Sequence, residues 1–159
     1  MCPGSVPGCV GASAGCPAGQ VAQRFQQTTA DLMGAIVLTY PSPIEAQSPV
    51  EGKFLQLRWA QGDYLLFSAA AELRYHNQIL GRFLSEQGIP HHWEDDERLV
   101  FAHPELEVVG GGRFRLDLVD RTLQVWDTSG VYGRFDVAAL SAQLAAAGGP
   151  WEGLALSVG

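Results

Sequence analysis

The side chain best placed to do chemistry in this sequence is His76. Leu73, Ile79, Leu80, Phe83 and Leu84 recur at 3.6-residue spacing, while Arg74, Gln78, Arg82, Ser85 and Glu86 take the opposite side. This spacing predicts an amphipathic helix from Leu73, closed by Gly88. His76 lies inside the apolar stripe, between Leu73 and Leu80, so the face that must pack on a sheet carries an imidazole. Such a histidine is either a hydrogen-bonded core residue or a group aimed into a site, where it can attack an electrophile or carry a proton near pH 7.

Three other stretches hold candidate groups. Lys53 opens an alternating run in which Leu55, Leu57 and Trp59 exchange with Gln56 and Arg58. Period two puts Lys53 on the Leu55 face, where it snorkels to solvent or hangs over a pocket at the sheet edge. Gly110, Gly111 and Gly112 precede Arg113. Three glycines permit positive φ and close backbone approach to a ligand, or make a strained bulge. No Gly-Lys-Ser/Thr follows them, so they are not a P-loop. Ser129 and Gly130 form either an anion-binding nest of backbone N–H groups or an ordinary loop. His91, His92 and His103, with the acids Glu94 to Glu97, raise a metal reading, but they lack the spacing that converges ligands. That segment, Ile89 to Pro104, reads instead as a solvated loop with a short strand at Leu99 to Phe101.

The elements that must position these groups follow from pattern and punctuation. Met1 to about Asp31 is rich in Gly, Ala, Pro and Ser and holds Cys2, Cys9 and Cys16, the three cysteines of the chain. It reads as a disordered low-complexity tail, since it cannot bury much apolar surface. An odd number of thiols, all outside the main domain, fits a reducing cytoplasm. Residues 32–159 then form one domain. Leu32 to Tyr40 is a first strand, Pro41 to Glu51 a loop, Lys53 to Trp59 a second strand and Gln61 to Asp63 a turn. Tyr64 to Phe67 is a short extended piece, and Ser68 is a candidate helix cap. A short strand ends at Val109, and Phe114 to Leu118 pairs through the Asp120-Arg121 turn with Thr122 to Trp126. Asp136 caps a second helix, Val137 to Ala147, and Trp151 to Val158 supplies a last strand. A net charge of −7 argues against a nucleic-acid footprint, and no apolar run is long enough to span a membrane.

Lys53 to Arg58, Tyr75-His76, Gly110 to Arg113, and Ser129-x-x-Tyr132-Gly133 occur in one order. From about Ile36 to the C-terminus this set resembles the Janus family, the small protein phosphohistidine phosphatases. The resemblance implies an α/β domain: a mixed β-sheet flanked by two helices. It also implies a metal-independent, cofactor-free hydrolase that breaks the P–N bond of phosphohistidine in a protein substrate. On that reading His76 is catalytic and Lys53 contacts substrate. Arg113 sits beside the histidine, and Ser129, Gly130 and Val131 cradle phosphate. A monomer without metal, nucleic-acid or membrane partners is expected. The chain departs from the family at Gly130-Val131, where Met-Ala is usual, and at Asn77-Gln78, where Ala-Asp is usual. Its link from helix to glycines is also longer. The alternative from another class is a non-catalytic phospho-ligand binding module on the same fold.

Overall fold

Apolar alternation in the middle of the chain and the two helical stripes beside it build a mixed sheet with one helix on each face. The computed structural model describes residues 35–60 and 62–159. The expected tail with its cysteines, the strand residues before Ala35, and Gln61 in the expected turn lie outside the described residues. The strands are β1 (Ala35–Tyr40), β2 (Val50–Trp59), β3 (Gly62–Ala69), β4 (His91–Glu94), β5 (Arg98–Phe101), β6 (Leu106–Asp117), β7 (Thr122–Trp126) and β8 (Ala155–Val158). The helices are α1 (His76–Gln87) and α2 (Val137–Ala147). Six strands run in the order β1-β3-β2-β6-β7-β8, and β4 and β5 pair separately as a hairpin. The outer pairs β1/β3 and β7/β8 are parallel; the inner pairs are antiparallel. Among the described residues no helix is long and apolar enough to cross a membrane.

Period two in β2 and β3 divides the core. Phe54, Leu65 and Phe67 pack with Phe114, Leu140 and Leu144 under α2. Leu55, Leu57 and Leu66 pack with Ile79, Leu80, Phe83 and Leu84 under α1. Both faces are covered, so Gln56 is not the outward polar residue that its alternation suggests; it is only 1% exposed. Its side chain accepts from Asp136 N–H at 2.7 Å and donates to Gln143 Oε1 at 2.9 Å, while Gln143 Nε2 donates to Asp63 Oδ2 at 2.7 Å. Every polar end in this chain of contacts has a partner, which is what makes burying amides tolerable. The network ties the start of α2 to the centre of the sheet.

Several elements differ from their sequence reading. α1 begins at His76 rather than Leu73. Gln78 Oε1 accepts from the N–H groups of Arg74 and Tyr75 at 2.9 and 3.2 Å, which holds the chain outside the helix until Tyr75. Ser68 is buried in β3 and does not cap α1. Its Oγ accepts from Leu73 N–H at 3.1 Å and so folds the connecting turn. β6 runs unbroken through the three glycines, with a register shift opposite Gln56 and Leu57. Its glycines have no positive φ. What they supply is close approach: a Cβ on Gly110 would strike the backbone of Arg134 and Phe135. The solvated loop expected after Gly88 contains the β4–β5 hairpin. Its turn uses Asp95 and Asp96 at φ 57° and 62°, a conformation that Asp tolerates better than most side chains. The Pro41 to Glu51 loop contains a 3₁₀ turn, Ile44–Gln47, and β2 starts earlier than expected, at Val50. The last strand starts later, because Trp151 ends a 3₁₀ turn and stacks its ring 4.7 Å from that of Phe67.

Candidate functional site

The site lies at one end of the α1 face, where the helix starts late and leaves the sheet uncovered. Lys53 comes from the first half of β2, on the Leu55 face, directly opposite Arg113 of β6. His76 is the first residue of α1 and lies on the glycines of β6. A Cβ on Gly111 would meet His76 Cδ2 at 3.1 Å, closer than side chains normally pack, so glycine there lets the imidazole reach the strand. The ring is 8% exposed.

One hydrogen bond decides its chemistry. Nε2 lies 3.0 Å from the carbonyl oxygen of Gly112, which can only accept. The neutral ring therefore carries its proton on Nε2 and a lone pair on Nδ1. Among the described residues the one fully buried side-chain polar atom without a partner is Asn77 Oδ1. Nδ1 has no partner among the described residues either. Burial is the main cause that lowers the His76 pKa, and the charges of Lys53 and Arg113 push the same way; the Gly112 bond and Asp127 oppose them. The positive end of α1, in whose first turn the ring sits, also disfavours an imidazolium. His76 is thus neutral at pH 7, with its lone pair on Nδ1.

The cleft that His76 lines also holds groups able to bind an anion. Lys53 Nζ sits 5.3 Å from the centre of the Tyr75 ring. The loop from Ser129 to Gly133 is stitched to β6 by Ser129 N–H to Gly111 O at 2.9 Å and Gly111 N–H to Gly133 O at 3.0 Å. This pushes Gly130 and Val131 outward, and neither of their N–H groups has a partner among the described residues. The first amides of α1, on His76 and Asn77, are likewise unpaired there, as helix starts are. Lys53, His76, Gly130 and Val131 line one cleft of about 980 Å³.

The remaining candidates sit elsewhere. Ser129 is 2% exposed and accepts from Tyr132 N–H through Oγ at 3.1 Å, so it shapes the loop from inside and does not line the cleft. Arg113 is exposed and pairs with Asp127 at 3.2 Å; it acts on His76 through its charge, without lining the cleft. Burial also pushes the Tyr132 phenol up to about 12, so it stays protonated. The histidines behind the metal reading do not converge. His91 bonds Ile89 O and Ser85 Oγ, His92 lies beside Glu94, and His103 packs edge-on to Trp59. Among the described residues no three His, Cys, Asp or Glu side chains form a metal cluster.

No protein-family model matches the chain, and no characterised protein sequence matches it. Tyr75, Asn77, Gln78, Trp93, Asp96 and Glu97 complete the cleft; the sequence puts Asp96 and Glu97 only in the acid run of the metal reading and gives none of the six a place in a phosphate site. The available signal was local. Asn77 and Gln78 adjoin His76, and Trp93 is a large apolar residue stranded among charges.

Proposed function

We propose that this protein is a phosphatase that hydrolyses the P–N bond of phosphohistidine in proteins, without a metal or cofactor, with His76 as its catalytic residue. The observation that carries the reading is the bare Nδ1 of a neutral, buried His76 in the same cleft as Lys53 and the unpaired amides of Gly130 and Val131. A site that only bound phosphate would gain little from a histidine held in one tautomer with its lone pair free. Phosphoryl transfer depends mainly on positioning and charge neutralisation, and those are the resources gathered here.

Lys53 and the loop amides hold the phosphoryl oxygens, and the start of α1 adds its own N–H groups. In the nucleophilic route the Nδ1 lone pair attacks phosphorus. The P–N bond breaks, its electron pair returns to the substrate nitrogen, and that nitrogen takes up a proton. Water then displaces phosphate from His76 and restores the ring. In the base route Nδ1 instead takes a proton from the water that attacks phosphorus; the same bond breaks with its electron pair on the substrate nitrogen, and His76 hands the proton to that nitrogen. Arg113 keeps the His76 environment cationic in either route and orients Asp127 beside it.

Release of inorganic phosphate from a chemically phosphorylated histidine protein, with and without a chelator, tests the reading. Turnover unaffected by chelation supports it. Tight binding of the phosphoprotein with no phosphate released favours the non-catalytic module instead.

A further inference from the structure

One wall of the cleft carries the charge opposite to that of Lys53, and the phosphate end gives it nothing to do. It is the β4–β5 hairpin, which contributes Trp93, Asp96 and Glu97. The hairpin is fixed in place. Asn77 Nδ2 donates to Glu97 O, the Trp93 ring lies where a side chain on Gly81 would be, and Leu99 and Phe101 pack against the α1 core. Glu94 spends its charge on Arg98, with His92 close by. Among the described residues Asp96 and Glu97 are in no ion pair.

These two carboxylates would repel a lone phosphoryl group. A ligand with a cation beside its phosphoryl group satisfies both walls. One further feature suits that cation. Trp93, an exposed ring on the same wall, can stack an ammonium or guanidinium group. Tyr75 and Val131, both exposed, widen the apolar rim beyond what a free small phosphoramidate would cover.

We propose that the β4–β5 hairpin is a specificity wall, and that it selects phosphopeptides with a lysine or arginine next to the phosphorylated residue. The phosphoryl end of this inference rests on the phosphatase reading; the cation end rests on the hairpin alone. A peptide flanked by acids is excluded by the same two carboxylates, so selection works by attraction and repulsion together.

The test uses paired peptides that carry a hydrolysis-resistant triazolylphosphonate analogue of phosphohistidine and differ only in arginine or glutamate neighbours. Calorimetric titration of the full chain should show the arginine peptide binding about tenfold tighter, the size expected of two partly exposed charge pairs. The Asp96→Asn, Glu97→Gln double variant should bring the two affinities close together. In about 1 M salt, where screening acts over roughly 3 Å, the preference should shrink. Turnover is measured separately on the matching phosphohistidine peptides. Equal affinities, no binding of either peptide, or a preference that survives in the double variant each overturn the proposal. A preference that holds while neither peptide is hydrolysed supports the hairpin as the wall and overturns the phosphatase reading instead.

Discussion

The two faces of the sheet use polar residues in opposite ways. Under α2, Gln56, Gln143, Asp63 and the Asp136 backbone close on one another, and no partner is left over. Under α1, near the end of the sheet that carries Lys53, polar groups stay unpaired. Among the described residues His76 Nδ1 and the Gly130 and Val131 amides have no partner, and Asn77 Oδ1 is buried without one. The first face resembles a structural core with a satisfied network. The second has the incomplete hydrogen bonding that a ligand can complete. Open donors and acceptors of this kind are what a bound ligand can pair with, and they gather in one corner.

The sharpest way to break this comparison is to replace His76. His76→Ala should lower phosphate release from phosphohistidine protein by roughly a thousandfold or more, as loss of a nucleophile or essential base does. Circular dichroism and melting should show a folded protein. If activity falls only in proportion to the folded fraction, His76 belongs with the structural face, and the loss should match a buried truncation of about 1–3 kcal/mol.

Lys53→Ala should come next, with a loss of about 10²-fold in kcat/KM, typical for removal of one electrostatic donor to a transition state. It should also move the pH profile. Lys53 lowers the His76 pKa, so removing it should shift the acid limb of the rate profile towards higher pH. Asp127 acts in the opposite sense, and Asp127→Asn should shift that limb lower. An unmoved limb in both variants would mean that the titrating group is not His76. The same depressed pKa has a stability sign. The unfolded ring titrates near 6.5 and the folded ring below it, so the unfolded state takes up the proton first as pH falls. The contribution of His76 to stability is complete above that value and is lost as the pH drops towards the folded pKa.

On the other face the expectation reverses. Gln56→Ala strands Gln143 and the Asp136 N–H, and should cost about 1–3 kcal/mol in denaturant titration while turnover per folded molecule stays unchanged. A turnover defect without loss of stability would show that the α2 face communicates with the cleft. The smallest effect is expected from chelation: EDTA should leave turnover where it was. Activity that disappears and returns with added zinc or magnesium would overturn the metal-free reading.

Much of this architecture was legible because periodicity is a local property. The stripe from Ile79 to Leu84 sets the buried side of α1 wherever the helix begins, and alternation alone puts Lys53 on the Leu55 face. Asp136, whose carboxylate accepts from Ala139 N–H, and Gly148 bound α2 through local contacts that need no distant partner. The three glycines were legible only as a place of close approach: the sequence suggests a ligand there, whereas the structure brings up the backbone of Arg134 and Phe135. What the sequence could not decide depends on contacts between distant residues. Burial of Gln56 requires Gln143, 87 positions away, to arrive above it. The inward turn of Ser129 requires Gly111 to accept its N–H. His76 acquires a defined tautomer only because a carbonyl 36 positions away lies against Nε2, and the hairpin becomes a wall only when Trp93 settles on Gly81. Amino-acid order determined which side chains share a face; tertiary packing decided which of them keep a free valence, because a hydrogen bond is satisfied in space and not along the chain.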